Sequence, residues 1–420
     1  MEGAAEDIVA DDAVVSRPIP PHPLMSSPTR DPSRASRASP TRPPQTLEIF
    51  AHPPTPNPDP HPQTVQGTAL ETRGEVTATC YDTSGTRMAT CTTQGAIHVW
   101  DRVDGPDGAP GTWRQTAAWA AHRSACRAVA FAGAEFGRCL ASSSDDGTIC
   151  LWRESVRAPG AAAAAAATAA AEDGSSEWER CAQLRDSSKP VTRLAFAPAD
   201  HGLQLAAAGD DGAVRFYSPA DQLALHQWEL CNESEALRPG AACSGVAWRV
   251  PNAAVAADAD RFDGPEGYTN ARGDIPTLAV ALRWPDGAND ARVLCYDEAG
   301  MRWRVSGRVY EGPAEVNALA WSPVTRAGEP ETIALALGAD VGLFRVDGRA
   351  LMDDGEAGAG VESPRAALDA TLHHPARVVG LDWNSVGNTL ATSAEDGRVR
   401  LWSANALDGT WETQAQLVGE

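Results

Sequence analysis

The stretch His122–Glu154, HRSACRAVAFAGAEFGRCLASSSDDGTICLWRE, decides the fold. CRAVAFA alternates small or polar residues with apolar ones, the period of a half-buried strand. RCLASSS is a second short run. Asp145-Asp146-Gly147 then makes a tight turn, because Gly tolerates positive φ and Asp caps nearby backbone N–H groups. TICLW leads out as a third strand and ends on Trp152. A His opens the unit, an Asp sits in its second turn and a Trp closes its third strand.

The same grammar returns along the chain. First strands end on Tyr81, Phe131, Phe196, Trp248, Trp321 and Trp383. Second strands start at Met88, Leu140, Leu205, Leu278, Ile333 and Leu390, each followed by Ala, and third strands end on Trp100, Trp152, Tyr217, Tyr296, Phe344 and Trp402. The interval from second-strand start to third-strand aromatic is 12 residues in four units: 88 to 100, 140 to 152, 205 to 217 and 390 to 402. A fixed interval with matched residue types is the signature of a blade repeated around a channel. Small residues suit the strands that converge on the channel, and aromatics fill the widening space between neighbouring sheets. The expected fold is all-β, an open six-bladed WD40-type β-propeller over 74–420, preceded by a disordered Pro-, Ser- and Arg-rich tail over 1–73.

Fourth strands are expected at Trp113–Ala121, Trp178–Leu184, Leu223–Leu230, Met301–Tyr310, Arg365–Leu372 and Trp411–Leu417. Two insertions interrupt the blades. The segment 157–177 carries the run Ala161–Ala167, and 252–275 is rich in Gly, Asp and Ala. In the tail, Ser27-Pro28, Ser39-Pro40 and Thr55-Pro56 suit proline-directed kinases, although a solvated spacer is the plainer reading.

Composition narrows the function. The chain has 420 residues, 56 acidic against 35 basic, for a formal net charge of −21. That balance argues against direct binding to nucleic acid and against a polybasic membrane anchor. No apolar run approaches the ~20 residues of a membrane-spanning helix. The nine cysteines form no CxxC pair and fall mostly in strands, where they read as small buried hydrophobes rather than as disulfides or zinc ligands. No Gly-rich phosphate loop, metal spacing or nucleophile elbow appears. The expectation is no enzyme, no cofactor and no metal.

In the second unit His122, Asp146 and Trp152 are expected to form a buried hydrogen-bonded chain with a strand Ser, Ser143. Asp211 and Asp396, with Trp402, hold the matching positions in other blades, while Gln94 replaces the Asp in blade 1. Repetition at structural turns gives these residues a structural role.

Register adds a second expectation. Blade 1 begins at its innermost strand and blade 6 ends at its outermost. No spare strand is evident to latch them, and the Pro-rich tail is a poor donor because Pro lacks an N–H. The facing sides of blades 1 and 6 are then open to strands from another protein. The candidate contacts are Val76, Ala78 and Cys80 on blade 1 and Val378, Leu381 and Trp383 on blade 6.

TRMATCTTQGAIHVWD (86–101), AEFGRCLASSSDDGTICLWRE (134–154) and VGLDWNSVGNTLATSAEDGRVRLW (379–402) resemble the Sec-thirteen branch of WD40 proteins. LAFAPADHGLQLAAAGDDGAVRFYSPADQLALHQWEL (194–230) looks more like the branch's nucleoporins of the Seh-one type. The resemblance implies an open six-bladed propeller completed in trans by a blade from an α-helical scaffold nucleoporin of the Nup-eighty-five type. It implies a place in the Y-shaped outer-ring complex of the nuclear pore at the nuclear envelope, supporting transport of protein and mRNA. The family alternatives are the vacuolar or lysosomal coat-like complex that regulates TOR signalling, and a vesicle-coat role of the Sec-thirteen type. A substrate receptor of a ubiquitin ligase would need a self-closed ring.

Overall fold

The fold is seen in a computed structural model that describes residues 46–49, 63–64, 68–72 and 74–418, apart from 105–110, 156–176, 222–224, 235–239, 251–274, 324–330, 347–365 and 406–407. The insertions at 157–177 and 252–275, save their last residues, and the three Ser/Thr-Pro sites lie outside the described residues.

Three short strands come first: β1 (Thr46–Ile49), β2 (Gln63–Thr64) and β3 (Thr68–Glu71). Blade 1 follows with β4 (Val76–Tyr81), β5 (Arg87–Thr92), β6 (Ala96–Val103) and β7 (Thr112–Ala120). Blade 2 is β8 (Cys126–Phe131), β9 (Cys139–Ser144), β10 (Ile149–Ser155) and β11 (Glu177–Leu184). Blade 3 is β12 (Val191–Phe196), β13 (Leu205–Gly209), β14 (Val214–Pro219) and β15 (Trp228–Ser234). Blade 4 is β16 (Ala242–Trp248), β17 (Thr277–Arg283), β18 (Asn289–Asp297) and β19 (Arg302–Gly312). Blade 5 is β20 (Val316–Trp321), β21 (Glu331–Leu337), β22 (Asp340–Val346) and β23 (Ala366–His373). Blade 6 is β24 (Val378–Trp383), β25 (Thr389–Ala394), β26 (Arg398–Ala404) and β27 (Trp411–Val418). Each blade is an antiparallel meander in chain order.

Blade 3 departs from the sequence expectation in its fourth strand. β15 starts at Trp228, five residues after the expected Leu223. Trp228 is buried against the blade 2–3 core, and its indole N–H donates to the Leu225 carbonyl at 3.0 Å. That anchor holds the preceding residues in a turn.

The core lies between sheets. Five apolar clusters join blades 1 and 2, 2 and 3, 3 and 4, 4 and 5, and 5 and 6. The strand period of two sends alternate residues of each sheet to its two neighbours. Ala89, Cys91, Ile97 and Val99 of blade 1 face blade 2 and are fully buried, while Leu140 and Trp152 of blade 2 face back. Ion pairs cross between neighbouring blades. Arg87 bridges Asp101 and, at 2.7 Å, Glu154 of blade 2, and Arg249 of blade 4 grips Glu331 of blade 5 at 2.5 Å.

Each inner strand carries one bulge at the same place, between Val76 and Ala78, Cys126 and Ala128, Val191 and Arg193, Cys243 and Gly245, Val316 and Ala318, and Val378 and Gly380. A bulged residue is re-aimed away from its own ladder. Here it reaches the next blade: Thr77 Oγ1 donates to the Cys126 carbonyl at 2.6 Å, Thr192 Oγ1 to that of Cys243 at 2.9 Å, and Asn317 Nδ2 to that of Val378 at 3.1 Å.

The turns between second and third strands make a further contact between blades. Gly147 and Gly212 have φ of +77° and +75°, a region that L side chains rarely adopt. A Cβ on Gly212 would lie 2.6 Å from the carbonyl oxygen of Ala241 at the start of blade 4. Gly212→Ala is expected to destabilise the protein by about 1–3 kcal/mol, from positive φ and the clash together. Urea unfolding of the two proteins checks it, and an unchanged midpoint would show that the turn relaxes freely.

Candidate functional site: the open sides of blades 1 and 6

The expected polar network forms around a different serine. Trp152 Nε1 donates to Ser142 Oγ at 2.9 Å, and Ser142 Oγ meets His122 Nε2 at 2.8 Å. His122 Nδ1 lies 3.2 Å from Thr148 Oγ1, which donates to Asp146 Oδ1 at 2.6 Å. Ser143 is therefore not the strand member. It is adjacent in sequence and so points to the opposite face of the sheet, where its hydroxyl is buried without a partner. Asp146 reaches His122 through Thr148 rather than directly.

Blade 6 repeats the arrangement with His374, which the sequence reading missed. Trp402 Nε1 donates to Thr392 Oγ1 at 3.0 Å, and Thr392 Oγ1 meets His374 Nε2 at 2.8 Å. The signal was available, since Thr392 and Ser142 both stand 10 residues before the Trp. Asp211 and Asp396 do other work: they pair with Arg215 at 2.8 Å and Arg400 at 2.6 Å, four residues on. These groups sit inside the sheet wall and tie strands together. Burial pushes the His122 imidazole down to about 4 and lowers that of His374.

The neutral imidazole has a consequence for pH. Between about 4 and 6.5 the unfolded chain binds a proton at His122 that the folded chain refuses, so stability falls as pH drops through that window. The expected loss from His122 between pH 7 and pH 5 is about 2 kcal/mol. His122→Gln is expected to flatten the dependence, read from urea midpoints across pH. An unaltered slope would contradict the buried neutral histidine.

The six candidate contacts for an outside strand do not gather on one surface. Ala78 and Cys80 pack toward blade 2. Val378, Leu381 and Trp383 pack toward blade 5. These five face away from the space between blades 1 and 6, because the strand alternation sends their neighbours there instead. Val76 is half-buried and matches Cys126, which faces the preceding blade, so it alone of the six lies on the open side of blade 1.

The residues that do face the open space are clear by register. In blade 5, Ala334, Ala336, Val341 and Leu343 face blade 6 and are fully buried. Their counterparts in blade 6 are Ala391, Ser393, Val399 and Leu401, and all four are only half-buried. No apolar cluster of the described residues joins blade 6 to blade 1. The bulge position follows suit. Where Thr77, Thr192 and Asn317 bond to a following blade, blade 6 has Val379, apolar and 49% exposed. Asp382 is exposed beside it, and on blade 1 Tyr81 is 48% exposed.

The expectation that the N-terminal segment offers no strand is also corrected. β2 pairs in parallel with β27, Gln63 opposite Leu417 and Thr64 opposite Val418, as a fifth strand on blade 6. β3 pairs antiparallel with β1, and Leu70 is buried against Met88, Trp100 and Trp113 of blade 1. TALE, at 68–71, contains no Pro and is free to pair.

A family model described as "WD domain, G-beta repeat" matches residues 113–153 and 368–403. The fold is a six-bladed β-propeller, and these two stretches of it are WD40 repeats. Both matched stretches start in the outer strand of one blade and run through three strands of the next. Nucleoporin SEH1-A of Xenopus laevis is 29% identical over 343 residues, 81% of this chain and 84% of that one. Nucleoporin SEH1 of Homo sapiens is 28% identical over 342 residues, with the same coverage of 81% and 84%. Among solved structures, a chain of the mitotic checkpoint complex matches with a TM-score of 0.49 at 16% identity, covering 81% of this chain and 78% of its own length.

All nine cysteines are free thiols, and no group of His, Cys, Asp or Glu among the described residues is arranged to hold a metal ion.

Proposed function

We propose that this propeller is a non-enzymatic scaffold subunit of the outer-ring complex of the nuclear pore, at the nuclear envelope. Its role is to hold other nucleoporins, in support of protein and mRNA transport. The observation that carries the reading is the half-buried face of blade 6, beside relatives named nucleoporins over four-fifths of the chain. A sheet face of small and apolar residues is costly to leave in water, and strands from a partner remove that cost. An α-helical scaffold nucleoporin of the Nup-eighty-five type is the proposed donor of those strands.

The acidic composition, with a formal net charge of −21, fits assembly through protein surfaces better than contact with nucleic acid. The polar networks of His122 and His374 are buried within the sheets and tie strands together, which supports a role in presenting surfaces.

Val379 and Leu401 are the expected centre of the partner contact, because both are apolar and neither is fully covered. Affinity purification of the tagged protein from its own cells, followed by mass spectrometry, is expected to recover outer-ring nucleoporins. The double variant Val379→Asp, Leu401→Asp is expected to recover them at least tenfold less, with an unchanged urea midpoint. Undiminished recovery would move the contact elsewhere, and recovery of vesicle-coat subunits alone would overturn the pore assignment.

A further inference from the structure

We propose that the N-terminal strands β1 and β3 are the outer half of a seventh blade, built in cis between blades 6 and 1. A partner then has only the inner strands of that blade to supply. The inference starts from the offset of the sequence repeat. The two matched repeats each begin in an outer strand, β7 for blade 2 and β23 for blade 6, and then enter the following blade. By the same offset, the repeat that contains blade 1 begins with an outer strand just before Val76. β3 occupies that place.

The packing agrees residue by residue. Leu372, at the end of β23, is 3% exposed and sits in the cluster with Leu390 and Trp402 of blade 6, with Trp411 packed alongside. Leu70, in β3, is also 3% exposed and packs on Met88 and Trp100 of blade 1, with Trp113 alongside. Met88, Trp100 and Trp113 hold the blade 1 positions of Leu390, Trp402 and Trp411. Each apolar residue is followed two positions later by a buried polar one, His374 in one case and Thr72 in the other. His374 and Thr72 both stand 18 residues before the strand Thr that accepts from the Trp, Thr392 and Thr90.

Outer strands of successive blades also touch, β15 on β19 and β19 on β23, and β3 touches β7 in the same manner. β1 pairs with β3 along Thr46–Ile49, in the antiparallel sense that a third strand has toward a fourth. The other edge of β1 carries no strand among the described residues. β2 meanwhile ties the segment to the outer edge of blade 6. Thr64 and Thr68 are four residues apart in the chain, so the facing ends of β2 and β3 lie within about 14 Å of each other.

The inner positions call for a partner of definite kind: an extended hairpin with small and apolar residues, to cover Ala391, Val399 and Leu401 and to pair with the free edge of β1. This clause rests on the partner-strand reading given above. The cis half does not, and hydrogen exchange on the isolated full-length chain reads it without any partner.

Backbone amides of Thr68–Glu71 are expected to exchange at least about tenfold more slowly than an unstructured chain. Leu70→Asp is expected to abolish that protection while leaving Val214–Pro219 of blade 3 unchanged. The double variant Leu47→Pro, Glu48→Pro, which removes two adjacent backbone donors of β1, one of which faces β3, and leaves Leu70 in place, is expected to reduce it. Exchange of Thr68–Glu71 at the unstructured rate in the unaltered protein would overturn the proposal. If Leu70→Asp loosens the whole propeller, the double proline variant decides: undiminished protection of Thr68–Glu71 would overturn it too.

Discussion

The structure depends on the burial of both faces of every sheet. A four-stranded sheet has two apolar faces, and in a propeller each must be covered by a neighbour. Six consecutive sheets make five such interfaces and leave two faces over. Apolar burial is worth roughly 25 cal/mol per Å², so each uncovered face is an energetic demand for something to cover it. The half-buried Ala391, Ser393, Val399 and Leu401, set against their fully buried counterparts in blade 5, are that demand made visible.

The inter-blade hydrogen bonds follow the same logic. Inner-strand bulges aim Thr77, Thr192 and Asn317 at carbonyls of the next blade. At the end of the series the bulge residue is Val379, whose side chain has no hydrogen-bond donor. A polar side chain there would be satisfied by water as readily as by a partner, whereas an exposed valine gains only from being covered. The position thus distinguishes the last blade from the five before it.

Most of the blade architecture was legible in the sequence, because spacing carries it. The 12-residue interval and the aromatic at each strand end fix strand order and register without any knowledge of contacts. The site was less legible. Choosing Leu381 and Trp383 for the open side required knowing which of two alternating faces turns outward, and both faces of a propeller strand are apolar. The same ambiguity exchanged Ser142 for Ser143. Comparison of bulge positions would have helped, since Val379 is the one aliphatic among Thr77, Arg127, Thr192, Ser244 and Asn317. The N-terminal strands were hidden by their setting: TLEI and TALE are short, and the prolines between them dominate the composition.

The central claim is that the face of blade 6 lies open while its counterpart in blade 5 is sealed. Pulse labelling with a thiol-reactive maleimide tests it directly, in full-length Leu401→Cys and Leu343→Cys proteins, with labelled peptides read by mass spectrometry. Leu343 is fully buried and Leu401 only partly. The account predicts rapid modification at position 401 and none at 343 under native conditions. Equal protection at both positions would mean that the ring closes on itself and that blade 6 has no face to offer.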